Sequence, residues 1–239
     1  MNHLLPTGTA AETDARHLVH AVLPVGSFEQ HGRHLPLITD TVIAETVARE
    51  LEVAYPVFTL PPVTISCSHE HRAWRSTVSL SARTLASIVG DVYDSVTASG
   101  FCSLTVVSGH GGNYILSNVV QEASAAGRAM ALFPAKEDWK DARRAAGLAT
   151  SDHEDMHAGE LETSILLYAS PELVRDGWQH ADWLADDRRD LLTTGIRAYT
   201  ESGVIGKPSE ASPEKGKALL DSLTGNFARL LALFDRHSI

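Results

Sequence analysis

Residues 17–40 decide the fold, and they read His-Leu-Val-His-Ala-Val-Leu-Pro-Val-Gly-Ser-Phe-Glu-Gln-His-Gly-Arg-His-Leu-Pro-Leu-Ile-Thr-Asp. The stretch from His17 to Val25 is almost continuously apolar, which predicts a β-strand covered on both faces, as in a parallel sheet. Glycine and proline then interrupt the backbone around Glu29, His31 and His34, and Asp40 ends the stretch. Carboxylates and imidazoles on a loop after a strand are typical of a metal site.

The rest of the chain alternates between strand and helix patterns. Further strands are predicted at residues 57–60, 101–107 and 129–134. Helices are predicted from Thr39 or Asp40 to about residue 53, after Ser81, and at 114–126, 136–149, 160–169 and from 213 onward. This alternation predicts an α/β fold with a mainly parallel sheet. Residues 175–200 are polar and carry no clear pattern.

Composition limits the class of protein. The chain has 239 residues, 44% of them apolar, and a formal charge of −10. We expect one domain over residues 1–239, with 1–17 as a polar N-terminal arm. The charge argues against nucleic acid or an anionic membrane as the partner. The N-terminal residues have no signal-peptide pattern, and no apolar run approaches the roughly 20 residues of a membrane helix, so we expect a cytoplasmic protein.

Two loops are expected to meet at one edge of the sheet. The loop from Glu29 to Asp40 and the loop from Ser108 to Asn113 both follow strands, and ligands bind beyond the carboxyl ends of parallel strands. Glu29 and His31 are two residues apart, so in extended backbone they point the same way. Together with Asp40 and His110 they suit Zn²⁺, Mn²⁺ or Fe²⁺, and a carboxylate between two ions would allow a two-metal site.

A third group of candidates lies near residue 160. His157 and Glu160 stand three residues apart at a predicted helix start, which would place them on one face. Glu160 is a candidate ligand and His157 a candidate acid or base. The loop at residues 64–79 is also rich in groups that bind or react.

Two other patterns have less support. Residues 153–157, His-Glu-Asp-Met-His, match the zinc-protease pattern, but Gly159 follows closely and argues against the required helix. The glycine-rich segment Ser108–Asn113 before a helix is compatible with a phosphate site, although it lacks the lysine of a P-loop. A non-catalytic phosphate- or nucleotide-binding module therefore remains the rival hypothesis.

Three segments resemble the creatininase family of metal-dependent amidohydrolases: residues 26–40, 109–113 and 157–164. The resemblance implies a three-layer α/β/α fold, two divalent metal ions per subunit and a homo-oligomer, commonly a hexamer. It also implies that Glu29 and His110 hold one ion, that His31 holds the other, and that Asp40 bridges them. Where creatininase proper has a further carboxylate ligand, this chain has Gly112, and we expect Glu160 to replace that ligand.

The resemblance also implies a reaction. We expect metal-activated hydroxide to hydrolyse a C–N amide bond in a formamide, a cyclic amide or a small peptide, in a biosynthetic pathway, with non-peptide bonds preferred. His157 would transfer the proton, and Glu162 would orient His157 or a ligand. The motifs are closer to the deformylase and mycofactocin-peptidase branches than to creatininase proper. A metallopeptidase of mycofactocin-like cofactor maturation is therefore the alternative.

Overall fold

A four-stranded parallel sheet forms the centre of the computed structural model, which describes residues 5–236. Its strands are β1 (His20–Val25), β2 (Val57–Thr59), β3 (Ser103–Ser108) and β4 (Met130–Phe133), in the order β2-β1-β3-β4. All three neighbouring pairs are parallel. The predicted parallel α/β fold is confirmed, with strand ends that differ from the predicted ones by at most three residues.

Helices connect the strands and cover the sheet. They are α1 (Ala10–Ala15), α2 (Thr39–Ala54), α3 (Ala82–Ala98), α4 (Ile115–Ala125), α5 (Lys136–Ala145), α6 (Glu160–Ala169), α7 (Leu191–Thr194) and α8 (Pro213–Arg236). The expected N-terminal arm contains α1, and residues 1–4 of that arm lie outside the described residues. Residues 171–198 are mostly irregular and contain short 3₁₀ turns as well as α7. Within residues 5–236, no helix has both the length and the apolar character needed to cross a bilayer.

The two faces of the sheet carry separate apolar clusters, because successive strand residues point to opposite faces. Val22 and Val107 pack with α2, α5, α6 and α8 on one face. Leu23 and Val106 pack with α3 and α4 on the other. The result is a three-layer α/β/α arrangement.

Helix α2 begins differently from the prediction. Its N-cap is Ile38, which has no polar side chain, so neither Thr39 nor Asp40 caps the helix. The Thr39 hydroxyl donates instead to the carbonyl of Pro36, over 2.6 Å. Asp40 lies in the first turn, where the helix dipole favours a carboxylate, and its side chain points away from the helix toward the strand ends.

Two glycines bring the strand ends close to this turn. Gly26 follows β1, and a Cβ there would overlap the backbone of Thr41. Gly109 follows β3, and a Cβ there would overlap the carbonyl oxygen of Asp40 and lie 3.0 Å from the amide nitrogen of Ala44. The first turn of α2 therefore sits directly against both strand ends, with Asp40 between the two loops.

We predict that Gly109→Ala destabilises the protein and that Gly111→Ala does not. The new methyl group at 109 would push α2 from the sheet, at a cost of about 2 kcal/mol in the free energy of unfolding. Among the described residues nothing lies within 4 Å of a Cβ built at Gly111, so that variant should differ from wild type by less than about 0.5 kcal/mol. Urea denaturation of both variants measures the difference, and equal midpoints would contradict the close-packing explanation.

Candidate active site

Six acidic and imidazole side chains converge beyond the carboxyl ends of β1 and β3. The ends are level, since Val25 pairs with Ser108 and the Gly109 amide donates to the Val25 carbonyl over 3.0 Å. Three sets of residues each place their ligand atoms within 4.8 Å of one another. These sets are Glu29, Asp40 and His110; His31, Asp40 and Glu162; and Glu29, His31 and His157.

Asp40 lies at the centre of the cluster. One carboxylate oxygen, Oδ1, is 3.0 Å from Nε2 of His31. The other, Oδ2, is 2.9 Å from Nδ1 of His110 and accepts a hydrogen bond from the Ser27 hydroxyl over 2.6 Å. Its two oxygens therefore face the two halves of the cluster, which is the geometry of a bridging ligand.

Backbone carbonyls orient the imidazoles of His31 and His110. Nδ1 of His31 is 3.1 Å from the carbonyl oxygen of Glu29, and donation there leaves Nε2 facing Asp40. Nε2 of His110 is 2.8 Å from the carbonyl oxygen of Cys67, and donation there leaves Nδ1 facing Asp40. Metal-ligating histidines are commonly held in this way, with the second ring nitrogen donating to a carbonyl.

Glu29 is fully buried, and its environment suits a cation. Neither carboxylate oxygen accepts a well-aligned hydrogen bond within residues 5–236. The nearest imidazole nitrogens are Nε2 of His71, 3.2 Å from Oε1, and Nε2 of His110, 3.3 Å from Oε2. Since burying a carboxylate without well-aligned hydrogen bonds is costly, a positive charge at this point would stabilise the site.

The pKa shifts also indicate a site for positive charge. Burial raises the pKa of Glu29 to about 8, with the nearby Asp40 carboxylate acting in the same direction. Burial alone would lower the pKa of His31 and His110, but the surrounding carboxylates outweigh it and raise these values to about 9 and about 10. Burial would raise the pKa of Asp40, but the two histidines hold it well below its ordinary value. Protons on the imidazoles thus neutralise negative charge that a divalent cation would also neutralise.

His157 reaches the cluster from a strand-like segment. Its backbone pairs with Ile205, and the next residue, Ala158, has a left-handed φ of 52°. The prediction that His157 shares a helix face with Glu160 is therefore wrong, because α6 begins only at Glu160. Nε2 of His157 is 2.6 Å from the carbonyl oxygen of Gln30, which leaves the Nδ1 lone pair facing the cluster. Burial and the neighbouring His31 lower the pKa of His157 well below its ordinary value, so the ring is neutral and can accept a proton.

Glu160 and Glu162 occupy different places, and the expectation for Glu160 is corrected. Among the described residues, the Glu160 carboxylate belongs to none of the three convergent sets. It accepts hydrogen bonds from Nζ of Lys215 over 2.6 Å and from the hydroxyl and amide of Thr150 over 2.6 and 2.9 Å.

Glu162 was expected to orient His157 or a metal ligand. Its Oε2 lies 3.8 Å from Nε2 of His31. Residues two apart on a helix differ by about 200° in direction, so only one of the two can face the cluster.

The sequence did not single out His71. This histidine lies in a 3₁₀ turn of the 64–79 loop, is 2% exposed, and its ring centroid is 4.4 Å from that of His157. The concentration of polar residues in the loop was the available signal, but no periodic pattern indicated which of them points inward.

The zinc-protease pattern at residues 153–157 does not form a metal site. In the structure, residues 153–157 form a turn followed by an isolated β-bridge, and none of them is helical. Nε2 of His153 lies 2.9 Å from the carbonyl oxygen of Asp186, on the exposed side of the turn. Only His157 of the pair reaches the cluster, and the rejection of this pattern is confirmed.

A large cavity opens onto the cluster. Its volume is about 1000 Å³, and it is lined by His110, His157 and Glu162 at the cluster and by residues that include Tyr114 and Trp139 farther out. This volume is at the upper end of the range for small-molecule sites. It can accommodate a chain of several residues as well as a small amide.

The chain resembles characterised proteins over most of its length. The family model described as creatininase, creatinine amidohydrolase, matches residues 6–231. The mycofactocin precursor peptide peptidase of Mycobacterium ulcerans (strain Agy99) is 33% identical over 224 residues, covering 88% of this chain and 84% of that protein. The protein of the same name from Mycobacterium tuberculosis (strain ATCC 25618 / H37Rv) is 32% identical over 229 residues, with the same coverage. A crystal structure of creatinine amidohydrolase (creatininase) superposes with a TM-score of 0.80 at 22% identity, over 95% of both chains.

We predict that Glu160→Gln lowers stability and leaves metal binding unchanged. The substitution weakens the contacts to Lys215 and Thr150 and should cost about 2 kcal/mol at neutral pH. Burial would raise the pKa of Glu160, but the bonds from Lys215 and Thr150 lower it overall. The carboxylate therefore stabilises the fold above its unfolded pKa, and this contribution is lost as the pH falls through the folded value. Denaturation at several pH values, with metal analysis of the same samples, checks both parts. A loss of metal in Glu160→Gln would show that Glu160 is a metal ligand and not only a structural residue.

Proposed function

Because the chain belongs to the creatininase family, we propose that it is a metal-dependent amidohydrolase that cleaves an amide C–N bond in a short peptide. Members of this family are metal-dependent hydrolases. The observation that carries the proposal is the position of Asp40, whose two oxygens face His31 on one side and His110 on the other.

Two of the three convergent sets would provide the binding positions for two divalent ions. Glu29, Asp40 and His110 would hold one ion, and His31, Asp40 and Glu162 would hold the other. Three carboxylates and two imidazoles suit Zn²⁺, Mn²⁺ or Fe²⁺. When bound, such ions supply Lewis acidity that activates water and polarises an amide carbonyl.

His157 is the proposed proton carrier. Its Nε2 proton is engaged by the carbonyl of Gln30, so Nδ1 is the atom that takes a proton from the attacking water. The same atom then returns the proton to the leaving nitrogen, as general acid–base catalysis requires. Burial and the neighbouring His31 lower the pKa of His157, so the imidazole is neutral before the reaction and, once protonated, readily gives its proton to the leaving nitrogen.

Two observations support a peptide as the substrate. The relatives at 32–33% identity are named as peptidases of a precursor peptide. The cavity of about 1000 Å³ beside His110 and His157 has room for residues on both sides of a scissile bond. These observations favour the peptide alternative over the non-peptide amides that the sequence led us to expect.

We predict that Asp40→Ala and His157→Ala separate metal binding from turnover. Asp40→Ala removes the carboxylate that both proposed ion positions share. The purified protein should therefore lose most of its metal and all measurable activity. His157→Ala should retain its metal, while kcat falls by about 10²–10⁴-fold because the proton carrier is gone. Elemental analysis and initial rates on a panel of short peptides measure both effects.

His153→Ala is the matched control, since this histidine lies on the same segment but faces away from the cluster. It should retain both metal and activity. Full metal and activity in Asp40→Ala would show that the site is misplaced. A wild-type protein that binds no transition metal would favour the rival phosphate-binding module. Activity confined to formamides or lactams would exclude the peptide substrate.

A further inference from the structure

Gln30 lies between two imidazoles of the site, and its side-chain amide has one orientation. Oε1 accepts a hydrogen bond from the Gly32 amide over 2.9 Å, and Nε2 donates to the Gly203 carbonyl over 3.1 Å. Turning the amide over would set oxygen against the Gly203 carbonyl and NH₂ against the Gly32 N–H, and both contacts would be repulsive. The amide nitrogen is therefore the atom that faces His71.

This amide nitrogen fixes the tautomer of His71. Nε2 of Gln30 is 3.0 Å from Nδ1 of His71. A donor at that distance requires a lone pair on Nδ1, so the ring proton resides on Nε2. Nε2 in turn lies 3.2 Å from Oε1 of Glu29. His71 thus places its N–H beside the Glu29 carboxylate, in close contact but without a well-aligned hydrogen bond.

The backbone of Gln30 gives His157 the opposite role. Its carbonyl oxygen is 2.6 Å from Nε2 of His157, so that nitrogen carries the proton and Nδ1 presents a lone pair. Nδ1 lies 3.9 Å from the same Oε1 of Glu29. On the side of the Glu29 carboxylate, His71 therefore carries a proton and His157 carries a lone pair. Gln30 determines both tautomers, through its side chain for His71 and through its backbone for His157.

The segment from Gly203 to Gly206 keeps this arrangement in place. Gly203 has a φ of 96°, and a Cβ there would overlap the side-chain amide of Gln30. Two residues later, the Ile205 amide donates to the His157 carbonyl over 2.9 Å. One short stretch therefore supports the Gln30 side chain and the His157 backbone together.

We propose that His71 is a positioning residue for Glu29: its Nε2–H, fixed by Gln30, lies beside Oε1 and leaves Oε2 for a metal ion beside His110. The inference rests on the proposed function only in treating Glu29 as a metal ligand. Ligating carboxylates are themselves commonly held by hydrogen bonds, and removing such a partner weakens metal binding. The Oε2 atom is 3.3 Å from Nε2 of His110, on the side of the cluster where the first ion would lie.

The test compares His71→Leu with His71→Gln. A glutamine amide nitrogen can reach the place of Nε2 and donate, whereas leucine fills the space without a donor. Titrating the metal-free full-length protein with Co²⁺, we expect His71→Leu to bind about 10–100-fold more weakly, with an altered visible absorption spectrum. His71→Gln should recover most of the affinity and the wild-type spectrum. His69→Leu, in the same turn but exposed, is the control and should match wild type.

Imidazole ¹⁵N NMR of the same protein reports the tautomer directly. We expect His71 to carry its proton on Nε2, because the Gln30 amide donates to Nδ1. A proton on Nδ1 in wild type, wild-type Co²⁺ affinity in His71→Leu, or equal losses in His71→Leu and His71→Gln would each overturn the proposal.

The outcome is separable from that of the proposed function. A wild-type protein that binds Co²⁺ but hydrolyses no amide would overturn the proposed reaction, while the His71 comparison would still stand. A wild-type protein that binds no Co²⁺ would overturn both.

Discussion

Both halves of the candidate site, the one around His31 and the one around His110, depend on the Asp40 carboxylate. It is 1% exposed, and a buried charge of this kind is stable only when it is paired on its open sides. His31 and His110 provide the pairing, one from each loop. Gly109 makes this possible, because only a residue without a Cβ lets the end of β3 approach the Asp40 backbone so closely. The parallel sheet brings the two strand ends level, and the close packing places the carboxylate between them.

Backbone atoms fix the directions of the surrounding rings. The carbonyls of Glu29, Gln30 and Cys67 each engage one imidazole nitrogen, on His31, His157 and His110 respectively. The other nitrogen of each ring then faces the cluster. These carbonyls belong to loops whose ends are tied to the sheet, so the ring orientations are set by the fold before any ligand arrives. Such a site is preorganised for charge near Asp40 and for proton transfer at His157.

Sequence patterns predicted the parts of the molecule that local periodicity controls. The strands and main helices were recognisable because apolar residues repeat at the spacing of each element. Glu29, His31, Asp40 and His110 could be brought together because each follows a strand or opens a helix at the same edge of the sheet. Glu160 could not be placed, because the choice between it and Glu162 depends on the helix phase at its first turn. His71 was missed because its loop has no period, and its inward direction comes from contacts with Gln30, which are distant in sequence.

The most direct test of the central claim is anomalous diffraction from crystals of the wild-type protein loaded with Zn²⁺, recorded at the zinc edge. A bridging role for Asp40 predicts two anomalous peaks, each about 2.0–2.2 Å from one of its carboxylate oxygens. Glu29 and His110 should complete one site, and His31 and Glu162 the other. A single peak away from Asp40, or a peak on the Glu160 carboxylate, would contradict it.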